Sequence, residues 1–295
     1  MSNKLVKFYD RHYKTLLVIA VIISLLCAAV VMSNYARTGE FVKKGVSLKG
    51  GSIITVQLNT VPDIKAVESQ LRSITPEEVS VVKFSSATGL ALGFIAETTL
   101  QDVSELVDFI ETSYDVKNVN IETVGPRLGE SFFRQLIIAI IIAFVLMAAV
   151  IFAYFRSFLP SFYIILSAIV DIMFPLAMVV LLDIKLSAAG VAAFLMLIGY
   201  SVDTDILLTT RVLKRKEGSV SERIYSAFST GIVMTLTAMA AMGIAFLTTP
   251  SEVLKQITMI LFFGLVADIW STWMQNAGLL KIYTEKKEKR SEEND

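Results

Sequence analysis

The chain has 295 residues, 54% of them hydrophobic and 18% charged, a balance too apolar for an ordinary soluble protein and one that points to a polytopic membrane protein. Its 27 basic residues match its 27 acidic ones, and no basic stripe with interleaved aromatics occurs, which excludes a nucleic-acid partner. One cysteine, Cys27, and one histidine, His12, leave no disulfide framework and no Cys/His metal site; no cofactor is implied, and no nucleophile–base pair or phosphate loop suggests an enzyme.

In chain order, a basic flank (Lys4, Lys7, Arg11, Lys14) precedes the first apolar run, Thr15 to Met32. That run exceeds the ~7 to 15 residues of a signal-peptide core and is expected to be a retained anchor. Residues 33–134 change character. "GSIITVQL" (51–58) is β-branched and strand-like, and Pro62 opens a helical stretch, "DIKAVESQLRSI", with apolar residues at Ile64, Val67 and Leu71. Two strands, "EEVSVVKF" and "LALGFIAE", flank the hairpin-like turn "SSATG". A second amphipathic stretch, "TLQDVSELVDFIETSY", and a last strand, "VKNVNIETV", complete a β-α-β-β-α-β order, that of a split-βαβ, ferredoxin-like α+β domain.

Five further runs are long enough to cross a hydrocarbon core of roughly 30 Å: Gln135 to Phe155, Ser161 to Leu182, Ala188 to Thr210, Ile224 to Thr248 and Gln256 to Gln275. The expected fold is therefore a polytopic α-helical membrane protein of six transmembrane helices with an extracytoplasmic α+β domain. Its parts are an N-terminus and first helix (1–32), the α+β domain (33–134), a five-helix bundle (135–280) and a charged tail (281–295), whose "EKKEKRSEEND" reads as a solvated charge run. With both termini cytoplasmic, the inside segments hold 15 basic residues, while the short outside loops hold only Lys185 and Lys255. That asymmetry sets the orientation.

Within the fourth run lies "GYSVDTDILLTTR" (199–211). An Asp at the centre of a spanning helix costs roughly 2.5 to 3.5 kcal/mol, so Asp203 and Asp205 together cost on the order of 5 to 7, against about 3 to 5 contributed by the apolar residues of that helix. Its acids are expected to face a bundle interior or a wet cavity. The two lie about 200° apart around the helix and form no dyad. Tyr200, Asp203, Thr204 and Leu207 make one stripe, and Ser201, Asp205 and Thr209 another, giving each acid a hydroxyl neighbour. Asp171 and Asp268 also lie well inside spans, at similar depth. Asp203, Asp205, Asp171 and Asp268 are the candidates for a proton or cation pathway, the alternative being interhelical hydrogen bonds that fix packing. Arg211 reads as an inner-face anchor or as a counter-ion.

Gly199, Tyr200, Ser201 and Arg211 in that segment make it resemble the fourth-helix motif of the SecF subunits of the SecDF protein-export complex. "GVSLKGG" (45–51), with Gly50 and Gly51, is similar to the Gly-rich lead into that family's outer domain. "VGPRLG" (124–129), with Gly125, Pro126 and Gly129, is similar to the exit from it. The chain differs from the bacterial pattern at Asp203-Thr204-Asp205, where Asn-Asp-Thr is usual, and at Ser47, where an Asp is usual; these differences suggest the archaeal branch. The resemblance implies a multi-pass protein of the cell membrane, of the resistance-nodulation-division fold. It would be paired with SecD beside the Sec translocon and assist a translocating polypeptide across the lipid bilayer, coupled to the proton gradient. A half-transporter of a lipid or small hydrophobic molecule and a scaffold with a peptide-binding outer domain are the other readings. Side-specific labelling of Ser86→Cys in a Cys27→Ser background is expected from the outside only; labelling from the cytoplasm alone would invert the topology.

Overall fold

A long apolar run in hydrocarbon has no water to satisfy its peptide groups, so it is forced into helix. The computed structural model describes residues 2–60, 62–75, 77, 79–85, 92–215, 217–249 and 251–292, and among these, six helices are long and apolar enough to cross a membrane. The first, α1 (Ser2–Thr38), extends well past the apolar run at both ends and leads through a single turn, α2 (Val46–Lys49), into the α+β domain.

The domain comprises β1 (Gly51–Leu58), α3 (Ile64–Ile74), β2 (Val79–Ser85), β3 (Leu92–Thr98), α4 (Ser104–Ser113) and β4 (Val116–Val124). Its sheet is antiparallel in the order β2-β3-β1-β4, which places the first strand centrally and its helical crossover over one face, the ferredoxin-like arrangement. Alternation decides which face is covered. Ile54, Val56 and Leu58 of β1 and Phe94 and Ala96 of β3 point into a core with Val67 and Leu71 of α3 and Leu106 and Ile110 of α4. Asp63 starts α3 by accepting from the Lys65 amide at 3.0 Å. The "SSATG" turn falls on 85–89, and all of it beyond Ser85 lies outside the described residues.

The bundle continues with α5 (Pro126–Phe155), α6 (Phe158–Leu181), α7 (Ala188–Lys214), α8 (Val220–Thr248) and α9 (Glu252–Trp270). The last span does not stop at Gln275. A π-helical turn (Ser271–Asn276) follows α9, and α10 (Ala277–Glu292) carries the helix on through the charged tail. Residues 286–290 of that tail are exposed, but Lys281 and Thr284 are buried. Lys281 binds Asp10 of α1 and the Ser221 hydroxyl of α8, the latter at 2.8 Å, and Arg223 of α8 pairs with Glu288 at 2.6 Å.

The two Gly-rich motifs meet where the domain joins the bundle. Gly50 has φ 92° and Gly51 φ 128°. A Cβ on Gly50 would stand 2.4 Å from Pro126 Cα, and one on Gly129 would stand 2.9 Å from the Gly50 nitrogen. The strand ahead is tied to the α6–α7 loop: the Gly45 amide donates to the Leu186 carbonyl and the Leu186 amide to the Lys43 carbonyl, each at 2.8 Å. Lys185 of that loop pairs with Glu97 of β3 at 3.4 Å. Gly50→Ala is expected to cost about 2 kcal/mol or more, since both the backbone angle and the contact with Pro126 forbid a side chain. Gly39→Ala, at φ 73° with no atom within 4 Å of the new Cβ, should cost roughly 1 kcal/mol. Thermal unfolding of both variants compares them, and equal shifts would refute the steric account.

Candidate functional site

The site is built on α7, whose start is fixed from three directions. Ser187 caps it by accepting from the Gly190 amide at 3.1 Å. Ser47, arriving from α2, accepts from the Ala188 amide at 3.0 Å, filling a second of the orphan N–H positions. Gln256 of α9 accepts from the Ser187 amide at 3.0 Å and donates to the Lys185 carbonyl at 2.8 Å. Farther along, α9 carries Gly264 against Leu197, where any Cβ would lie 2.2 Å from a Leu197 methyl. Close approach of α7 and α9 therefore requires glycine there.

This approach brings three carboxyls together at zero exposure: Asp171 of α6, Asp205 of α7 and Asp268 of α9. Asp171 receives the hydroxyls of Ser201 and Ser271, one on each oxygen. Asp268 has Thr204 at 2.7 Å and Thr272 at 2.9 Å on Oδ1, and Thr235 of α8 at 3.1 Å on Oδ2. Asp205 has the Asn276 amide nitrogen at 2.7 Å and Thr272 at 3.0 Å, both on Oδ1. The Thr272 hydroxyl thus stands between Asp205 and Asp268 with one hydrogen for two acceptors. Thr204 is placed the same way, 2.8 Å from the Ser201 carbonyl and 2.7 Å from Asp268. Among the described residues, no ion pair reaches any of the three acids.

Asp203 lies elsewhere: of the two acids of α7, both expected to face a bundle interior or a wet cavity, only Asp205 is enclosed by this chain's own helices. With Asp205 turned toward the π turn, the 200° offset leaves Asp203 on the exposed side of α7. It shares that side with Met196, Gly199 and Tyr200, all exposed, at the i, i+3, i+4, i+7 spacing of one helical stripe. The expected hydroxyl neighbours are also reassigned. Thr204 serves Asp268, and Ser201 serves Asp171, because both side chains reach across to another helix. Arg211 is half-buried and binds the Ser226 hydroxyl at 2.8 Å and the Thr230 hydroxyl at 3.0 Å, so it ties α7 to α8 and is no counter-ion to the buried acids.

The donors that sequence reasoning left out are Ser271, Thr272 and Thr235. Positions 268, 271, 272, 275 and 276 are all polar and spaced as one helical face; that inverted stripe, polar inward, was the available signal. The π turn widens the helix over those residues and returns its closing amide, from Ala277, to the Thr272 carbonyl. Trp270 and Trp273, on the other sides, stack edge-on against Phe174 and Phe228 at 4.7 and 5.3 Å between ring centres.

Residues 105–286 match the family described as protein export membrane protein SecD/SecF, C-terminal. The chain is 36% identical to the protein-export membrane protein SecF of Pyrococcus furiosus over 289 residues, covering 98% of this chain and 97% of that one. It is 38% identical to the SecF of Methanocaldococcus jannaschii over 273 residues, covering 90% and 94%. Among solved structures it superposes on SecDF from Thermus thermophilus, a translocon-associated membrane protein, with a TM-score of 0.78 at 16% identity, over 94% of this chain and 38% of that chain. A second SecDF structure, in a super-membrane-facing form, gives a TM-score of 0.64 over 96% of this chain and 39% of that one. At these identities the likeness is one of fold, and the chain spans well under half the length of the SecDF chains.

Thr272→Val keeps the shape of the bridging residue and removes its hydrogen bonds to two acids. A loss of roughly 1 to 2 kcal/mol is expected. Thr237→Val, which deletes an exposed hydroxyl bound to the Val233 carbonyl of its own helix, should be near neutral. Thermal melting in detergent reads both; a neutral Thr272→Val would show that the bridge contributes nothing to the packing.

Proposed function

The chain belongs to the SecF family of protein-export membrane proteins, and from that premise we propose that its buried acids couple export to the proton gradient within a complex with SecD. The chain serves protein export as a membrane subunit. The observation that carries the coupling proposal is the hydrogen count around Asp268. Thr204 and Thr272 each face two acceptors with one hydrogen, so a carboxyl that takes up a proton finds a hydroxyl oxygen ready to accept from it. The same hydroxyls donate when the proton leaves. Protonation and release therefore exchange one satisfied pattern for another across α7, α8, α9 and the π turn, with no charged side chain needed to compensate. A proton moving across ~100 mV supplies about 2.3 kcal/mol, enough to bias two packings of helices joined by hydrogen bonds of about 1 kcal/mol each.

The partner face is the stripe of α7 that carries Asp203. A carboxyl facing lipid at the depth of a spanning helix is costly, and Met196, Gly199 and Tyr200 beside it offer a narrow surface on which another helix can pack closely. SecD covers this stripe, the polypeptide and the translocon act on the side of the α+β domain, and both termini lie in the cytoplasm of a cell-membrane protein. The readings as a lipid half-transporter or a peptide-binding scaffold have no observation in their favour, while relatives called SecF match over nearly the full length.

Asp171→Asn, Asp205→Asn, Asp268→Asn and Asp203→Asn are the test, each measured for co-purification with SecD and for export into membrane vesicles with and without an ionophore. Asp268→Asn is expected to assemble and to export at the ionophore-treated level regardless of the gradient, while Asp203→Asn weakens assembly. Gradient-driven export that stays normal in Asp171→Asn, Asp205→Asn and Asp268→Asn alike would sink the coupling reading and leave the network as packing alone.

A further inference from the structure

The sheet has two edges, β2 and β4, and they are finished differently. On β2, Arg72 of α3 donates to the Val79 carbonyl at 3.0 Å, and the exposed Lys83 stands on the strand itself, a charge of the kind that blocks edge-to-edge pairing. Most of β4 has neither device. From Asn118 to Val124 it pairs with Gly51 to Gln57 in unbroken register, the one irregularity falling between Gln57 and Leu58. That stretch holds no proline and no basic residue, and its single charge, Glu122, is on the sheet face away from the helices. Among the described residues, no strand is hydrogen-bonded to the outer edge of β4.

Side chains leave the same edge uncovered. Ile121 is opposite Ile54 in the register and so points to the helix-covered face, yet Ile54 is at zero exposure and Ile121 at 45%. The reason is that α3 and α4 pack over β1 and β3 and leave Ile121 outside the domain core. A strand added beside β4, about 4.8 Å away, would satisfy its row of amides and carbonyls and lay alternate side chains over Ile121. In such an addition main-chain bonds supply affinity whatever the sequence, and side-chain pockets supply selectivity. Ile121 is the strand's one exposed large apolar side chain, so the edge selects an extended, unpaired backbone and little else. With nine residues β4 is about 30 Å long, and Val124 at its end stands two positions before Pro126, where α5 starts. The edge therefore runs from the junction with the bundle to the far end of the domain.

On the reading that the polypeptide acts on the side of this domain, we propose that the outer edge of β4 pairs with an extended, unfolded segment of the polypeptide being exported, which joins the sheet as an added strand. Pairing through the main chain suits a cargo that varies in sequence. It requires nothing of the buried acids.

Full-length chain co-purified with SecD in detergent is the material, and reduced, carboxymethylated lactalbumin, which cannot refold, is the probe. Benzoylphenylalanine replaces Glu122 on β4 in one sample and Val82, exposed on β2, in another. On illumination, position 122 is expected to crosslink to the unfolded probe and position 82 is not, while disulfide-intact lactalbumin gives no product at either. Ile121→Lys, which puts a charge on the helix side of the edge, should lower the yield at 122 about tenfold or more. Asn120→Lys, on the open face, should do the same; if Ile121→Lys loses SecD or melts early, Asn120→Lys carries the result. Crosslinks from 122 to SecD alone would mean that the partner subunit occupies the edge. Equal yields at 122 and 82, or yields that survive both lysines, would mean that the probe adheres without pairing. Each of these overturns the proposal, as does the absence of any product at 122. No gradient exists in detergent, so Asp268→Asn should crosslink like the wild type, and a failure of proton coupling is read separately from a failure of the edge to pair.

Discussion

Burying three carboxyls that, among the described residues, no basic side chain pairs with is the constraint on which the rest of the bundle depends. At roughly 2.5 to 3.5 kcal/mol each on the insertion scale, the acids would make α6, α7 and α9 poor helices singly. Hydroxyls and one amide offset that cost, and they come from α7, α8 and the π turn, so each acid is satisfied mostly by a helix other than its own. No pair of helices completes the network. Assembly of the bundle and satisfaction of the acids are therefore one event, and a change in how the acids are hydrogen-bonded must be felt by every helix that supplies a donor.

The π turn is where that requirement shows in the backbone. An α-helix presents one residue in every three or four to a given neighbour, yet Ser271, Thr272 and Asn276 reach Asp171 of α6 and Asp205 of α7 as well as Asp268 one turn back on their own helix. Widening the turn spreads these side chains over a broader arc, at the cost of poorer backbone hydrogen bonds. The aromatic rings on the remaining sides, Trp270 against Phe174 and Trp273 against Phe228, hold the widened turn in place. Below it, α10 is fastened by Lys281 to Asp10 and Ser221 and by Glu288 to Arg223. The turn is thus held at both ends.

Much of this architecture was legible in the sequence because its signals are periodic. The strand order follows from alternation and β-branched residues in 51–58 and 79–84, and six spans follow from apolar length alone. Acids at 171, 205 and 268 stand out because nothing in an apolar run hides them. What could not be read is partnership. Ser201 and Asp205 share a helical face, which suggested a pair, but the hydroxyl of Ser201 crosses to Asp171; sequence spacing gives neighbours on one helix and is silent about the next one. Asp203 and Asp205 looked equivalent for the same reason, since only the packing against α9 decides which of two opposite faces is inward. The π turn was invisible because no residue type specifies it. The burial of Lys281 was hidden by the charged residues that follow it.

The start of α7 connects this core to the α+β domain. Ser47 sits one turn before Gly50 and Gly51, which fix the direction of β1, and it closes the N-terminus of the helix that carries Asp205. Leu186 on the preceding loop is paired with the same strand of chain. Between Ala188 and Asp205 the helix is unbroken and about 25 Å long, and its start is bonded to Ser47, while Leu186 just before it is paired with the chain leading to the sheet. The domain in turn bears on the bundle through Pro126 and Gly129 at the start of α5, where contact with Gly50 leaves no space for slip. Two attachments, one at α7 and one at α5, tie the orientation of the domain to the relative placement of those helices, which is the mechanical link that the proposed coupling of the buried acids to export would need.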